Sequence, residues 1–145
     1  MATESFEIES TMEASAAFDR LIDLSMVDQW DEGVREPRLV AGTPGQVGAR
    51  YEVTVTGFDG TPTTASYELT AVDAPFTFTM VGAHESFRAD DTVTVHTTST
   101  GCRVRYDAGL VLLGENPPLT EEQLDRQFAK IVAVPRAGLT RFLGP

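Results

Sequence analysis

The feature that most limits how this chain can fold is a change of hydrophobic period near residue 114. Between Tyr51 and Leu112 apolar residues recur at every second position, and beyond Pro117-Pro118 they recur at helical spacing. One long amphipathic helix must therefore find a sheet to cover its apolar stripe. The helix is strongly signed at both ends. Thr120 and Gln123 have the spacing of a capping box, Leu119 and Leu124 that of a hydrophobic staple, and Gly144 supplies a stop. Leu124, Phe128, Ile131, Val132, Leu139 and Phe142 fall on one face. At about 1.5 Å per residue the helix spans about 35 Å, with a kink expected at Pro135.

The remaining elements follow from the same periodicities. Phe6 and Ile8 alternate with glutamates as a first strand. A helix is expected from about Glu13 to Leu24 and a second short one from Ser25 to Trp30, with a loop at Thr43–Gly48. Strands then carry Tyr51, Val53 and Val55; Ala65, Tyr67, Leu69 and Ala71; Phe76, Phe78, Met80 and Gly82; Val93 and Val95; and Val104 through Leu112. Asp59-Gly60 predicts a type I′ hairpin, whose two central residues both need positive φ. Short strands at hairpin spacing, each with one apolar face, describe a single antiparallel sheet in an α+β chain.

Length and charge narrow the functional classes. The 145 residues fit one domain, 1–145. A net charge of −11 with no basic cluster disfavours nucleic acid and anionic membranes as partners. No apolar run reaches the ~20 residues of a membrane span, and the N-terminal residues lack the pattern of a signal peptide. A cytoplasmic monomer or homodimer is the expectation. Cys102 is the sole cysteine, so no intrachain disulfide forms, and it reads as a small core hydrophobe.

Several local patterns carry a family resemblance over essentially the whole chain. They are Phe18-Asp19, Leu21, Asp23, Ser25 and Trp30-Asp31 with Gly33-Val34; Gly48-Ala49-Arg50-Tyr51; Tyr67-Glu68-Leu69-Thr70 before Asp73-Ala74-Pro75; Asp91 to Val95; and Gly101 to Tyr106. In this order they resemble the START/Bet v 1-like superfamily, and within it the SRPBCC group of polyketide cyclase/dehydrase and lipid-transport proteins. The resemblance implies a helix-grip fold: a curved antiparallel sheet wrapped around a long C-terminal helix, with two short helices after the first strand. It also implies an internal cavity for a hydrophobic small molecule such as a lipid, quinone or polyketide. No catalytic motif of the cyclases carries over to positions of this chain.

Within that frame Trp30, Tyr51, Tyr67, Phe78, Met80, Tyr106, Phe128 and Val132 are the candidate ligand contacts, apolar walls with a few hydroxyl handles. His84 continues the phase of Phe78, Met80 and Gly82, which makes it the one candidate acid/base; the alternative is a hairpin histidine. His96 falls on the opposite phase, so no metal site is expected from the two histidines and Cys102. Asp90-Asp91 reads as a solvated strand start, and Arg88 as a partner for Glu85 or for a ligand carboxylate. No Gly-rich phosphate loop or nucleophile elbow is present, so no cofactor is expected. Three functions remain open: a carrier of a hydrophobic molecule, a cyclase or dehydratase acting on a carbonyl compound, and a protein-interaction module with a vestigial cavity.

Overall fold

A computed structural model describes residues 1–145 and resolves the two-residue period into seven antiparallel strands. In chain order the elements are β1 (Ala2–Ser10), α1 (Ala14–Ile22), a 3-10 helix (Leu24–Gln29), β2 (Val34–Ala41), β3 (Arg50–Thr56), β4 (Pro62–Asp73), β5 (Thr77–His84), β6 (Phe87–Thr97), β7 (Cys102–Leu112) and α2 (Glu121–Leu143). The sheet order is β1-β7-β6-β5-β4-β3-β2, so each hairpin partner is a neighbour and only β1 joins from far away in sequence. Helix α2 begins with the full capping box, Thr120 and Gln123 each satisfying the other's amide.

Alternation decides which side chains reach the core. On β7, Cys102, Val104, Tyr106, Ala108 and Leu110 are buried while Arg103 and Arg105 face out. Those arginines meet Glu7, Glu9 and Asp107 on the solvent side. Helix α2 runs alongside β1 in the same direction. The Met1 ammonium reaches Glu121 at 2.8 Å, and Ser10 Oγ donates to the Leu143 carbonyl at 3.2 Å, so opposite ends of the chain are tied at both ends of the helix. Gly138 lets α2 approach the segment after the 3-10 helix: a Cβ there would lie 1.9 Å from the Trp30 carbonyl oxygen.

The structure departs from the sequence expectations at several points. Strand β2 is absent from the periodic reading because it has no apolar face. It is a mostly exposed edge strand containing Pro37, register shifts on both sides of Arg38-Leu39, and Glu36 at φ 52°. The Asp59-Gly60 turn is not type I′. Only Gly60 has positive φ, and the five-residue loop closes through Gly57 N–H to Thr61 O while the Asp59 carboxylate accepts the Thr61 amide. Phe76 precedes β5 and is exposed, as is Ile131 on α2. Pro135 lies buried inside α2, which runs through it without a break. Arg88 pairs with Asp90 rather than Glu85. Most consequential, β6 begins at Phe87, which places Asp90-Asp91 in mid-strand and Asp91 on the inward phase with Phe87, Ala89, Val93 and Val95.

Candidate functional site

The concave side of the sheet and the chain after α1 enclose a small cavity. Its floor comes from successive strands: Val34 on β2, Val53 on β3, Tyr67 on β4, Met80 on β5, Asp91 on β6 and Tyr106 on β7. Its roof is Leu24 and Val27 of the 3-10 helix with Trp30 and Asp31. The space open to the centre of a water-sized sphere is about 10 Å³, enough for about one water.

Local structure holds each polar group in place. Trp30 and Asp31 are set by their own amides, which both donate to the Val27 carbonyl, at 3.2 and 2.8 Å. The Asp31 carboxylate accepts the Gly33 amide through Oδ1 at 3.0 Å, the return bond that closes this turn. Tyr106 is wedged between Phe6, stacked at 5.2 Å, and Trp30, edge-on at 6.1 Å. From there its hydroxyl donates to Asp91 Oδ2 at 2.6 Å. Tyr67 owes its position to Gly82 on the adjacent strand, where a Cβ would lie 2.8 Å from the tyrosine ring. The Trp30 indole N–H is buried with no acceptor, and the Tyr51 hydroxyl is buried without a partner in the neighbouring core.

Electrostatics follow from putting two carboxyl groups among apolar walls with no Lys, Arg or His among the lining residues. Burial raises Asp91 to about 7. The charges of Asp31 and Asp90 push the same way, and the Tyr106 and Gly109 hydrogen bonds oppose them. Burial likewise raises Asp31 to about 6, with Glu32 adding to it and the Gly33 hydrogen bond opposing. Midway between those two values the pair holds about one proton between its two members. Burial raises the Tyr67 and Tyr106 hydroxyls too, reinforced by the two aspartates, so both stay protonated donors. The result is two carboxyl groups, two tyrosines and a tryptophan lining one water-sized space, with the Tyr106 hydroxyl already given to Asp91.

Of the candidate contacts, the structure brings Trp30, Tyr67, Met80 and Tyr106 together at this cavity. Tyr51, Phe78, Phe128 and Val132 are buried in the surrounding core, Phe78 against the edge of Phe18 at 5.7 Å, and they do not line it. His84 is also outside the lining. It closes the β5–β6 hairpin: Nδ1 accepts the Ser86 amide at 3.1 Å, Nε2 lies 3.1 Å from Thr63 Oγ1, and the ring stacks on Phe87 at 5.3 Å. Leu24, Val27, Val34, Val53, Asp31 and Asp91 line the cavity without having been candidate contacts, and the two aspartates are the polar ones. The available signal was Asp91's place in the apolar phase of β6.

Comparison with known proteins agrees with this architecture. The profile of the family described as polyketide cyclase / dehydrase and lipid transport matches residues 1–135. Among solved structures, a START superfamily protein from Mycobacterium smegmatis superposes with a TM-score of 0.80 at 9% identity, covering 99% of this chain and 97% of that one. Ara h 8.0201 gives 0.68 at 16% identity, covering 96% and 95%. The di-domain ARO/CYC StfQ of the steffimycin biosynthetic pathway gives 0.73 at 10% identity, with 97% of this chain on 48% of that one. At these identities the likeness establishes the helix-grip fold. Curated proteins give no sequence match. No helix is long and apolar enough to cross a membrane.

Proposed function

Because the chain belongs to the polyketide cyclase/dehydrase and lipid-transport family, we propose that it binds a hydrophobic small molecule with an oxygen-bearing end. The apolar body lies against Leu24, Val27, Val34, Val53 and Met80, and the oxygen meets the donors of Trp30 and Tyr67. The observation that carries this reading is that Trp30, whose buried N–H has no acceptor, lines a cavity walled mostly by apolar side chains together with Tyr67, Tyr106, Asp31 and Asp91. Leaving such a donor unpaired costs about 1–3 kcal/mol, which an acceptor atom on a ligand recovers. As it stands the cavity takes only a group the size of water. A lipid- or polyketide-sized body enters when the Leu24–Gln29 segment moves outward, a 3-10 stretch whose hydrogen bonds are poorer in geometry than those of an α-helix.

Native mass spectrometry tests the reading. The protein as purified, or after incubation with Nile red, is expected to carry one apolar molecule, and Val53→Phe to lose it by filling the space. A protein that is empty as purified and takes up no Nile red overturns it. A second reading, an enzyme acting on a carbonyl compound, is favoured by the two aspartates, which a carrier of neutral lipid does not need.

A further inference from the structure

We propose that Asp31 and Asp91 form a proton-transfer couple for an enolisable ketone, with Asp31 taking the α-proton and Asp91, aided by Tyr67, holding the carbonyl oxygen. The proposal rests on the binding reading above and adds a reaction to it. Three features carry it. First, the two carboxyl groups approach one cavity from separate elements, Asp91 from the floor and Asp31 from the roof, so a molecule between them meets both. Second, their hydrogen bonds differ. Asp91 receives the Tyr106 hydroxyl at 2.6 Å, whereas the Asp31 side chain accepts only a turn amide through Oδ1, leaving Oδ2 free to take a proton. Third, Trp30 and Tyr67 line the same cavity, and the buried indole N–H of Trp30 has no acceptor, a donor that an oxygen on a bound molecule would satisfy. A cationic headgroup would leave that donor unpaired.

The step balances without any further reactant. The α-proton passes to Asp31 Oδ2, and the C–H electron pair forms the carbon–carbon double bond of the enol. The carbonyl π pair moves onto oxygen, which takes the proton of Asp91. Asp31 is then protonated and Asp91 ionised. Return of the protons at the same carbon gives exchange, and return at a conjugated carbon gives an isomerised enone. Burial supports these roles, since Asp31 ionises at about 6 while Asp91 keeps its proton to about 7. The other ionisable groups acting on the pair are Glu32 beside Asp31, Asp90 beside Asp91, and the tyrosines Tyr67 and Tyr106, which remain neutral.

β-Tetralone, an apolar ketone with acidic benzylic α-protons, is the probe. Its exchange in D2O is followed by proton NMR, while quenching of Trp30, the only tryptophan, reports occupancy. The protein is expected to speed exchange above the buffer rate, with a maximum where Asp31 is ionised and Asp91 protonated, about pH 6–7. Asp31→Asn and Asp91→Asn each lower the exchange rate about 10²–10⁴-fold at ketone concentrations where quenching shows the site filled. Urea midpoints of both variants confirm that they fold. Quenching without exchange above buffer overturns the couple and leaves the binding reading intact. Exchange that survives both substitutions also overturns the couple. Absence of quenching overturns the couple, and absence of Nile red uptake as well overturns both readings.

Discussion

Replacing Asp91 by asparagine should make the protein more stable at alkaline pH, because the carboxylate is held where its charge is disfavoured. The folded chain keeps the Asp91 proton up to about pH 7, whereas the ordinary value is 3.8. The folded state thus binds more protons than the unfolded state across that window, and stability falls as pH rises through it. Below about pH 4 both states are protonated and the effect vanishes; above about pH 7 the loss is complete. At about 1.4 kcal/mol for each tenfold change in proton affinity, this rise corresponds to about 4 kcal/mol, or about 2–4 kcal/mol once the cavity-facing side is allowed partial solvation. Asparagine has the same shape and can still accept from Tyr106. Urea unfolding of both proteins from about pH 4 to about pH 8.5 should give near parity at the acid end and a more stable variant at the alkaline end. The variant should keep a shallower slope from Asp31, which is also raised, to about 6. Parallel curves for the two proteins would refute the reasoning by showing that Asp91 is fully solvated.

Three further outcomes follow from packing. Phe128→Ala should cost about 3–5 kcal/mol in denaturant unfolding, since the ring is only 5% exposed; a loss under about 1 kcal/mol would mean that the stripe of α2 is poorly packed. Gly138→Ala should cost at least about 2 kcal/mol and shift Trp30 emission, because the added methyl drives α2 away from the Trp30 carbonyl; an unchanged midpoint would contradict the close approach. His84→Gln should leave β-tetralone quenching unchanged and cost no more than about 1 kcal/mol, the value of a hairpin hydrogen bond; loss of quenching would return His84 to the site.

The sheet was legible because its strands are long enough to alternate cleanly, and α2 because its cap and stripe agree. What stayed hidden did so for physical reasons. Strand β2 is held by backbone pairing to β3 and exposes nearly all its side chains, so no periodicity marks it. Residue type misled the reading of Asp91: an aspartate near a strand end suggests solvent, yet its phase with Ala89 and Val93 points it inward. At His84 phase and turn chemistry conflict, and the hairpin alternative is the one the structure shows. Its phase points inward, but the two-residue turn at Glu85-Ser86 captures the ring through Ser86. Tyr51, Phe78, Phe128 and Val132 were recognisable as interior residues, but sequence does not show which interior residues border an empty space. That depends on the seat of the 3-10 helix, which Gly138 sets from the far end of the chain.

The Trp30 indole N–H is the most direct reporter of the site, since it gives a single, unmistakable cross-peak in a proton–nitrogen NMR spectrum. Addition of β-tetralone should move that peak downfield as the carbonyl accepts its hydrogen bond. Tetralin, the same body without the oxygen, should change it far less. An indole peak that responds equally to both, or that stays fixed while the perturbed amides cluster around His84 and the β5–β6 hairpin, would contradict placing the oxygen-binding site at Trp30, Asp31 and Asp91.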